Sequence, residues 1–340
     1  MIRGYSFLIS FPNNTIFLPL STMNFYLTYS YACIEFLYNL FADPDIIRLP
    51  GPLSPLQNVI ASFIAKRRAP KSRAAYATIG GGSPILEYTN AQADLLSKSL
   101  KDQYDLSVKT YVGMRYWKPY TEDALQSIRK DKIKALVIVP LYPQFSISTS
   151  GSSLRVLQEE FAKEATSYGD MVHTVVPSWY DRPGYVKAVS NLIQAELDSF
   201  TDSEIDQAKK DVPNLTPLHI LFSAHGVPKS YIEAGDPYQQ QMEKCVAIIT
   251  KKLYETNSPK DVTIHLSYQS RVGPIEWLRP VCIKKTLIYS TNSRSLSSLS
   301  FVFAFLFFSR RFVDIYFRDD LFLSILTMFY LSLEKVEYRI

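Results

Sequence analysis

Short apolar runs separated by longer amphipathic segments form the main pattern of this chain. The runs predict six strands, at Ala75–Ile79, Val108–Val112, Ala135–Pro140, Val172–Val176, Leu218–Phe222 and Val262–Leu266. The intervening segments carry apolar residues at helical spacing, in the series Leu154, Leu157 and Phe161; Val186, Val189, Ile193 and Leu197; and Met242, Cys245, Ile249 and Leu253. Thr89 and Thr121 are predicted N-caps. This alternation is typical of α/β proteins with parallel sheets.

Composition separates the middle of the chain from its ends. Residues 281–340 contain no Gly, Pro or His but thirteen Phe and Tyr, which is unusual because loops need turn-forming residues. A break near residues 177–184 divides the α/β region into two domains, with a cleft expected between them. The predicted parts are an atypical N-terminal segment at 1–35, domains at 36–177 and 178–280, and an atypical aromatic-rich C-terminal segment at 281–340.

The two atypical ends carry no clear targeting signal. The first 33 residues contain one arginine, Arg3, whereas an organelle transit peptide would be rich in arginine. Near the other end, Phe301–Phe308 and Leu321–Leu333 are apolar but shorter than the roughly 20 residues of a membrane helix. A membrane anchor and a peripheral membrane association are therefore both left open as alternatives. We expect both ends to derive from a shortened or misassembled reading frame.

Charge and cysteine content exclude several classes of protein. Lys and Arg number 37 against 32 Asp and Glu, a mild positive balance that suits small anionic ligands and falls short of a nucleic-acid signature. The three cysteines, Cys33, Cys245 and Cys282, are far apart, so neither a CxxC site nor a disulfide framework is predicted. A reduced intracellular compartment fits this cysteine usage.

His225 is the strongest candidate for chemistry, because it follows the apolar run Leu218–Phe222 in a turn of small residues. In open α/β sheets, ligands bind beyond the carboxyl ends of the strands. A neutral imidazole there can accept a proton near pH 7 or bind a metal such as Fe(II). The alternative is a turn histidine bonded to backbone. His173, His219 and His265 fall within predicted strands and are interpreted as core histidines.

Further polar and aromatic residues gather near other predicted strand ends. Arg68 lies in a cluster of basic residues, Tyr76 comes after that cluster, and Ser83 follows three glycines. Arg115 and Tyr142 follow two more of the strands. Arginine guanidinium groups and aromatic rings suit a planar aromatic acid as a ligand. The alternative for the basic cluster is a solvated basic face, and the alternative for the glycines is a simple strand–helix turn. The glycines match neither GxGxxG nor a P-loop, which disfavours a nucleotide-binding transferase.

An ordered set of motifs resembles the ferrochelatases, which insert Fe(II) into a porphyrin. The matching segments are Asn39–Ile47, Arg115-Tyr116, Tyr142-Pro143-Gln144, Gly151-Ser152-Ser153, Ser223-Ala224-His225, Gly235-Asp236-Pro237-Tyr238 and Gln269–Pro274. The resemblance runs from about Phe36 to Pro280 and is closest to the plant or cyanobacterial type, which implies a chloroplast setting. It implies two Rossmann-like domains around a porphyrin cleft, the second of them incomplete here.

The resemblance also implies roles for individual residues. His225 corresponds to the family's active-site histidine, as proton acceptor from the pyrrole N–H or as metal ligand. Arg68, Tyr76, Ser83, Arg115 and Tyr142 correspond to positions that bind the substrate. Protoporphyrin IX and ferrous iron are the implied partners, and no separate cofactor is implied because the iron is a substrate.

Two family features have no counterpart in the sequence. The N-terminal segment shows no strand followed by a Gly-Gly-Pro turn, and residues 281–340 contain no Ser–acidic–His–Ile–Glu segment, which in the family places a carboxylate opposite the histidine. Without that carboxylate, the sequence does not predict whether the chain is a competent enzyme. A catalytically impaired isoform that binds porphyrin without inserting metal is the alternative function.

Overall fold

The computed structural model describes residues 32–46, 49, 51–77, 82–164, 168, 171–211, 218–255, 262–269, 275–279 and 300–305. For residue 269 and residues 300–305 it describes only the backbone. The chain divides into two compact units, Met1–Gly82 and Ser83–Ile340.

The first unit is built on two packed helices, α1 (residues 32–42) and α2 (Gln57–Ala77), with a 3₁₀ turn at Gly51–Leu56 between them. Helix α2 buries three alanines that recur every fourth residue, and each is at most 1% exposed. They form one apolar cluster with residues of α1; the cluster contains Cys33, Leu37, Phe41, Ala61, Ala65 and Ala69. Residues four apart share one face of a helix, so this alanine stripe is the packing surface.

The second unit alternates strands and helices. In chain order its elements are α3 (Ile85–Tyr104), α4 (Thr121–Lys130), β1 (Ala135–Ile138), a π-helical turn (Ile147–Gly151), α5 (Ser152–Lys163), β2 (Val172–Val175), α6 (Pro183–Leu197), α7 (Asp202–Asp211), β3 (Leu218–His225), α8 (Lys229–Glu233), α9 (Tyr238–Glu255), β4 (Val262–Gln269) and β5 (Ser300–Phe305). Strand β1 pairs with β2, and β3 lies between β4 and β5, all in parallel. The predicted α/β class with parallel sheets is confirmed.

Strand β3 forms the centre of the main core. Its residues from Leu218 to Ala224 are all buried, as expected for a parallel strand covered on both faces. The apolar stripes of α6 and α9 belong to the same cluster as β3. The helices predicted from the periodicity of those stripes are therefore confirmed, as is the helix α5.

Strand β5 comes from the segment that composition set apart as atypical. It pairs with β3 from Leu218↔Ser300 to Ser223↔Phe305. Its register places β3 in the interior of a three-stranded sheet. The candidate histidine is therefore carried by a central strand.

Two predicted strands and two predicted caps are wrong. Residues 75–77 continue helix α2, because alanine is the strongest helix former; residues 78 and 79 lie outside the described part. Val108–Val112 forms no strand, and its Lys109 and Tyr111 side chains instead bond Asp131. Thr89 lies inside α3, and Tyr120, not Thr121, is the N-cap of α4.

The prediction of core histidines holds for two of the three residues. His219 and His265 are 3% and 8% exposed, and His219 Nδ1 lies 2.9 Å from His265 Nε2. His173 is exposed on β2, because that strand begins at the surface with Val172 50% exposed. Among the described helices, none combines the length and the apolarity that crossing a bilayer would require.

Candidate active site

His225 is the last residue of β3. The strand continues three residues beyond the predicted apolar run, because Ser223 and Ala224 are small enough to stay buried in the sheet. The seven residues before His225 are buried, whereas His225 itself is exposed. The sheet therefore delivers this imidazole from a rigid central strand to the surface at its carboxyl end.

The surroundings of His225 favour its neutral form. Although its side chain reaches solvent, enough protein surrounds the ring that desolvation lowers its pKa below the ordinary value of 6.5. A lowered pKa leaves the imidazole unprotonated at neutral pH, with a lone pair free to accept a proton or bind a metal ion. This is the protonation state that the predicted role requires.

The backbone of His225 is tied to helix α9. The Tyr238 hydroxyl donates a hydrogen bond of 2.9 Å to the His225 carbonyl oxygen. Tyr238 is 5% exposed, and burial raises the pKa of its phenol, so the hydroxyl keeps its proton and remains a donor. The first residue of α9 thus holds the last residue of β3.

A glycine turn places the start of α9. Gly235 has φ of 94°, a conformation that L side chains rarely adopt. Its N–H donates to Ile232 O and the Asp236 N–H to Tyr231 O, which is the Schellman pattern that ends α8. The Asp236 carboxylate then accepts from Tyr238 N at 3.0 Å, so it caps the following helix.

Asp236 also accepts hydrogen bonds from the loop that follows β1. Its Oδ2 accepts from Ser146 Oγ at 2.8 Å and from Ile147 N at 2.9 Å. Gln241 Oε1 on α9 accepts from Phe145 N at 2.8 Å. This loop carries Tyr142, which is partly buried and whose pKa is raised by burial, so its hydroxyl stays protonated. The structure therefore joins the loop of Tyr142 to the element that holds His225.

Arg115, which precedes β1 in the chain, is hydrogen-bonded to the first residue after this loop and its π-helical turn. Its Nε donates to Ser152 Oγ at 3.1 Å, and its guanidinium lies 5.0 Å from the centre of the Tyr116 ring. Ser152 is 1% exposed and opens α5, directly after the π-helical turn that begins at Ile147. Arg115 is thus connected, through the first residue of α5, to the loop whose Ser146 and Ile147 donate hydrogen bonds to Asp236.

The other three predicted site residues lie in elements apart from those just described. Ser83 is exposed, and its Oγ accepts from Ile85 N at 3.4 Å at the start of α3. Arg68 and Tyr76 lie on α2 in the first unit, where the Arg68 guanidinium lies 5.4 Å from the centre of the Phe41 ring. Their place on one surface with His225 stays a prediction.

The segment after His225 is held by backbone hydrogen bonds to residues 276 and 278. Lys229 N donates to Glu276 O at 2.9 Å, and Leu278 N donates to Val227 O at 3.1 Å. Within the described residues, no group of three or more His, Cys, Asp and Glu side chains forms a metal-binding cluster. His225 is thus the one predicted metal ligand that the described site presents.

Sequence reasoning assigned no role to Asp236 and Tyr238. The Asp-Pro-Tyr sequence before an amphipathic helix is a local N-cap signal, and it could have identified the capping bond. The bonds from Asp236 to Ser146 and from Tyr238 to His225 join residues distant in sequence, and no local signal predicts them.

Comparison with known proteins identifies the family. A family model described as Ferrochelatase matches residues 29–304. The chain belongs to the ferrochelatase family. Ferrochelatase-2, chloroplastic, of Oryza sativa subsp. indica is 53% identical over 246 residues, covering 72% of this chain and 44% of that protein.

A second relative and one solved structure are also similar. The Ferrochelatase of Gloeothece citriformis is 51% identical over 246 residues, covering 72% of this chain and 58% of that protein. The chain spans about half the length of the curated relatives it matches. The solved structure titled "SirB from Bacillus subtilis with Fe3+" superimposes with a TM-score of 0.41 and 12% identity, over 73% of this chain and 94% of that chain. A likeness at that level carries no conclusion.

Proposed function

We propose that this chain acts in haem biosynthesis by inserting Fe(II) into protoporphyrin IX. The observation that carries the proposal is the His225 imidazole, exposed at the carboxyl end of a central parallel strand in a member of the ferrochelatase family, where desolvation lowers its pKa. The matched relatives are named ferrochelatase, and ferrochelatases are metal-chelating lyases.

The reaction explains why a base is needed. Two pyrrole protons must leave the macrocycle before a divalent ion can occupy its centre. A positioned base accelerates such a transfer by about 10²–10⁴-fold. In the proposed mechanism His225 accepts the proton or contacts the entering iron, and Fe(II) is a substrate, not a resident cofactor.

The remaining predicted residues would bind the porphyrin. A guanidinium can pair with a porphyrin carboxylate, and aromatic rings can stack on the macrocycle. We assign this role to Arg68, Tyr76, Ser83, Arg115 and Tyr142. The arrangement that we propose is a cleft between Rossmann-like domains at residues 36–177 and 178–280.

A plastid setting is part of the proposal, because the rice relative is named chloroplastic. Peripheral association with a membrane surface is part of the proposal as well, because protoporphyrin is apolar over most of its surface and would collect at a lipid bilayer. The mild positive charge of the chain, +5, gives no reason to include a nucleic acid among the partners.

Anaerobic turnover tests this function. Purified chain is mixed with protoporphyrin IX and either Fe(II) or Zn(II), and the metalloporphyrin is followed by absorbance and fluorescence. We expect metalloporphyrin to form at a rate proportional to chain concentration. Quenching of porphyrin fluorescence with no turnover would instead identify a porphyrin-binding isoform, and absence of both would remove the porphyrin from the proposal.

The acid limb of the pH–rate profile should lie below pH 6.5. Because desolvation lowers the His225 pKa, the neutral base persists below the pH at which an ordinary histidine is half protonated. The limb is measured as kcat/KM for Zn(II) insertion, with the porphyrin kept soluble in detergent at every pH. A midpoint at or above 6.5 would contradict an active base in this desolvated position.

Arg68→Ala should weaken porphyrin binding with little effect on the chemical step. Arg68 is exposed on α2 and carries a guanidinium that suits a carboxylate. We expect Kd for protoporphyrin to rise about 10- to 100-fold, since a charge-assisted hydrogen bond contributes about 1.5–3 kcal/mol and about 1.4 kcal/mol corresponds to tenfold in Kd. Fluorescence titration gives Kd, and Lys66→Ala, at an exposed position two residues earlier on the same helix, is the matched control. Equal Kd values for Arg68→Ala and the unmodified chain would remove Arg68 from the site.

A further inference from the structure

The end of β3 depends on a side chain for part of its support. Within the described residues, the pairing of β3 with β5 reaches Ser223↔Phe305, and the pairing with β4 continues to His225↔Gln269. The Tyr238 hydroxyl bonds the His225 carbonyl at 2.9 Å. The last residue of the strand is therefore held by β4 and by a phenol from α9.

Tyr238 is itself fixed from two directions. Its ring is 5% exposed and belongs to the core around β3, so it cannot change rotamer without opening that core. Its N–H is bound by Asp236, whose other carboxylate oxygen accepts from Ser146 and Ile147 in the loop after β1. A displacement of the His225 backbone would have to break this arrangement.

We propose that Tyr238 is a positioning residue, which holds the backbone of His225 so that the imidazole meets the macrocycle in one orientation. This inference rests on the proposed function. Rates of proton transfer fall steeply when the reacting groups are misplaced, and an error of 1 Å can cost about a hundredfold. A hydroxyl on the backbone constrains the direction of the side chain without touching the substrate.

Tyr238→Phe removes this hydrogen bond and keeps the ring in the core. Tyr268→Phe is the matched control: Tyr268 is 3% exposed on β4 opposite Ala224, and its hydroxyl meets no hydrogen-bond partner in the described part of the chain. Both variants delete one buried hydroxyl beside the same strand. They differ in whether that hydroxyl holds His225.

Three measurements separate positioning from general destabilisation. We expect Tyr238→Phe to lower kcat for Zn(II) insertion about tenfold, with porphyrin Kd unchanged within about twofold. We expect the backbone amides of residues 224–227 to exchange hydrogen about fivefold faster, because one hydrogen bond that resists local opening is lost. Tyr268→Phe should keep the kcat, the Kd and the exchange rates of the unmodified chain.

The proposal is overturned if Tyr238→Phe keeps the full kcat, or if Tyr268→Phe loses as much. It is also overturned if the loss appears in porphyrin Kd instead of kcat. If the unmodified chain inserts no metal, the proposed function fails, and hydrogen exchange still decides the positioning role. Unchanged exchange at residues 224–227 in Tyr238→Phe would then refute it.

Discussion

His225→Ala should lower the rate of metal insertion about a thousandfold while porphyrin affinity stays within about twofold of the unmodified chain. The substitution removes the exposed imidazole at the end of β3, and general bases contribute about 10²–10⁴-fold to proton transfer. The backbone bond from Tyr238 is to the carbonyl oxygen, so it survives the change. Turnover with Zn(II) and fluorescence titration with protoporphyrin measure the two quantities separately.

His173→Ala is the control for that experiment. His173 is also an exposed histidine in a parallel strand, β2, and it is outside the proposed site. We expect its variant to keep full activity. Turnover by His225→Ala within tenfold of the unmodified chain would exclude His225 as the base.

Asp236→Asn should have the largest effect on stability. The carboxylate is 4% exposed and accepts hydrogen bonds from Ser146 Oγ, Ile147 N and Tyr238 N. An asparagine offers one acceptor oxygen, and its NH₂ group must face at least one of these donors. Leaving buried donors unsatisfied costs about 1–3 kcal/mol each, so we expect the free energy of unfolding to fall by about 3 kcal/mol.

Urea unfolding followed by circular dichroism measures this loss. Asp206→Asn is the control, because Asp206 is exposed on α7, and a surface change of this kind stays within about 0.5 kcal/mol. A loss below about 1 kcal/mol for Asp236→Asn would show that the three bonds add little to the folded state. The capping role assigned to Asp236 would then be wrong.

Strong local patterns predicted the centre of the fold. The apolar run at Leu218–Phe222 and the helical stripes of α6 and α9 are dictated by burial, and the structure buries them together. The same rule underpredicted β3 at its carboxyl end. Ser223 and Ala224 carry little hydrophobic signal, yet both are buried, and the parallel ladder to β4 continues through them.

Weak local patterns failed where other interactions decide the conformation. Val108–Val112 has the composition of a strand, but Val108 is 42% exposed and Lys109 is bonded to Asp131. At Ala75–Ala77, the preceding helix continues through residues that suit it. A window of five residues contains too little information to separate these outcomes.

The candidate site was predicted one residue at a time, and its connections were not. His225 could be singled out because a histidine follows a buried run. The bond between Ser146 and Asp236 joins residues 90 positions apart, so it depends on how the loop after β1 meets α9. Only the folded chain brings those two segments together.

The parallel arrangement around β3 has a consequence for biosynthesis on the ribosome. Leu218 pairs with Val262 on one side and with Ser300 on the other, so both neighbours are translated after β3 itself. Contacts between residues so far apart in sequence form slowly, because long loops must close first. The apolar strand β3 should therefore remain unpaired until β4 and β5 have been synthesised. Protection of β3 by chaperones would matter most during that interval.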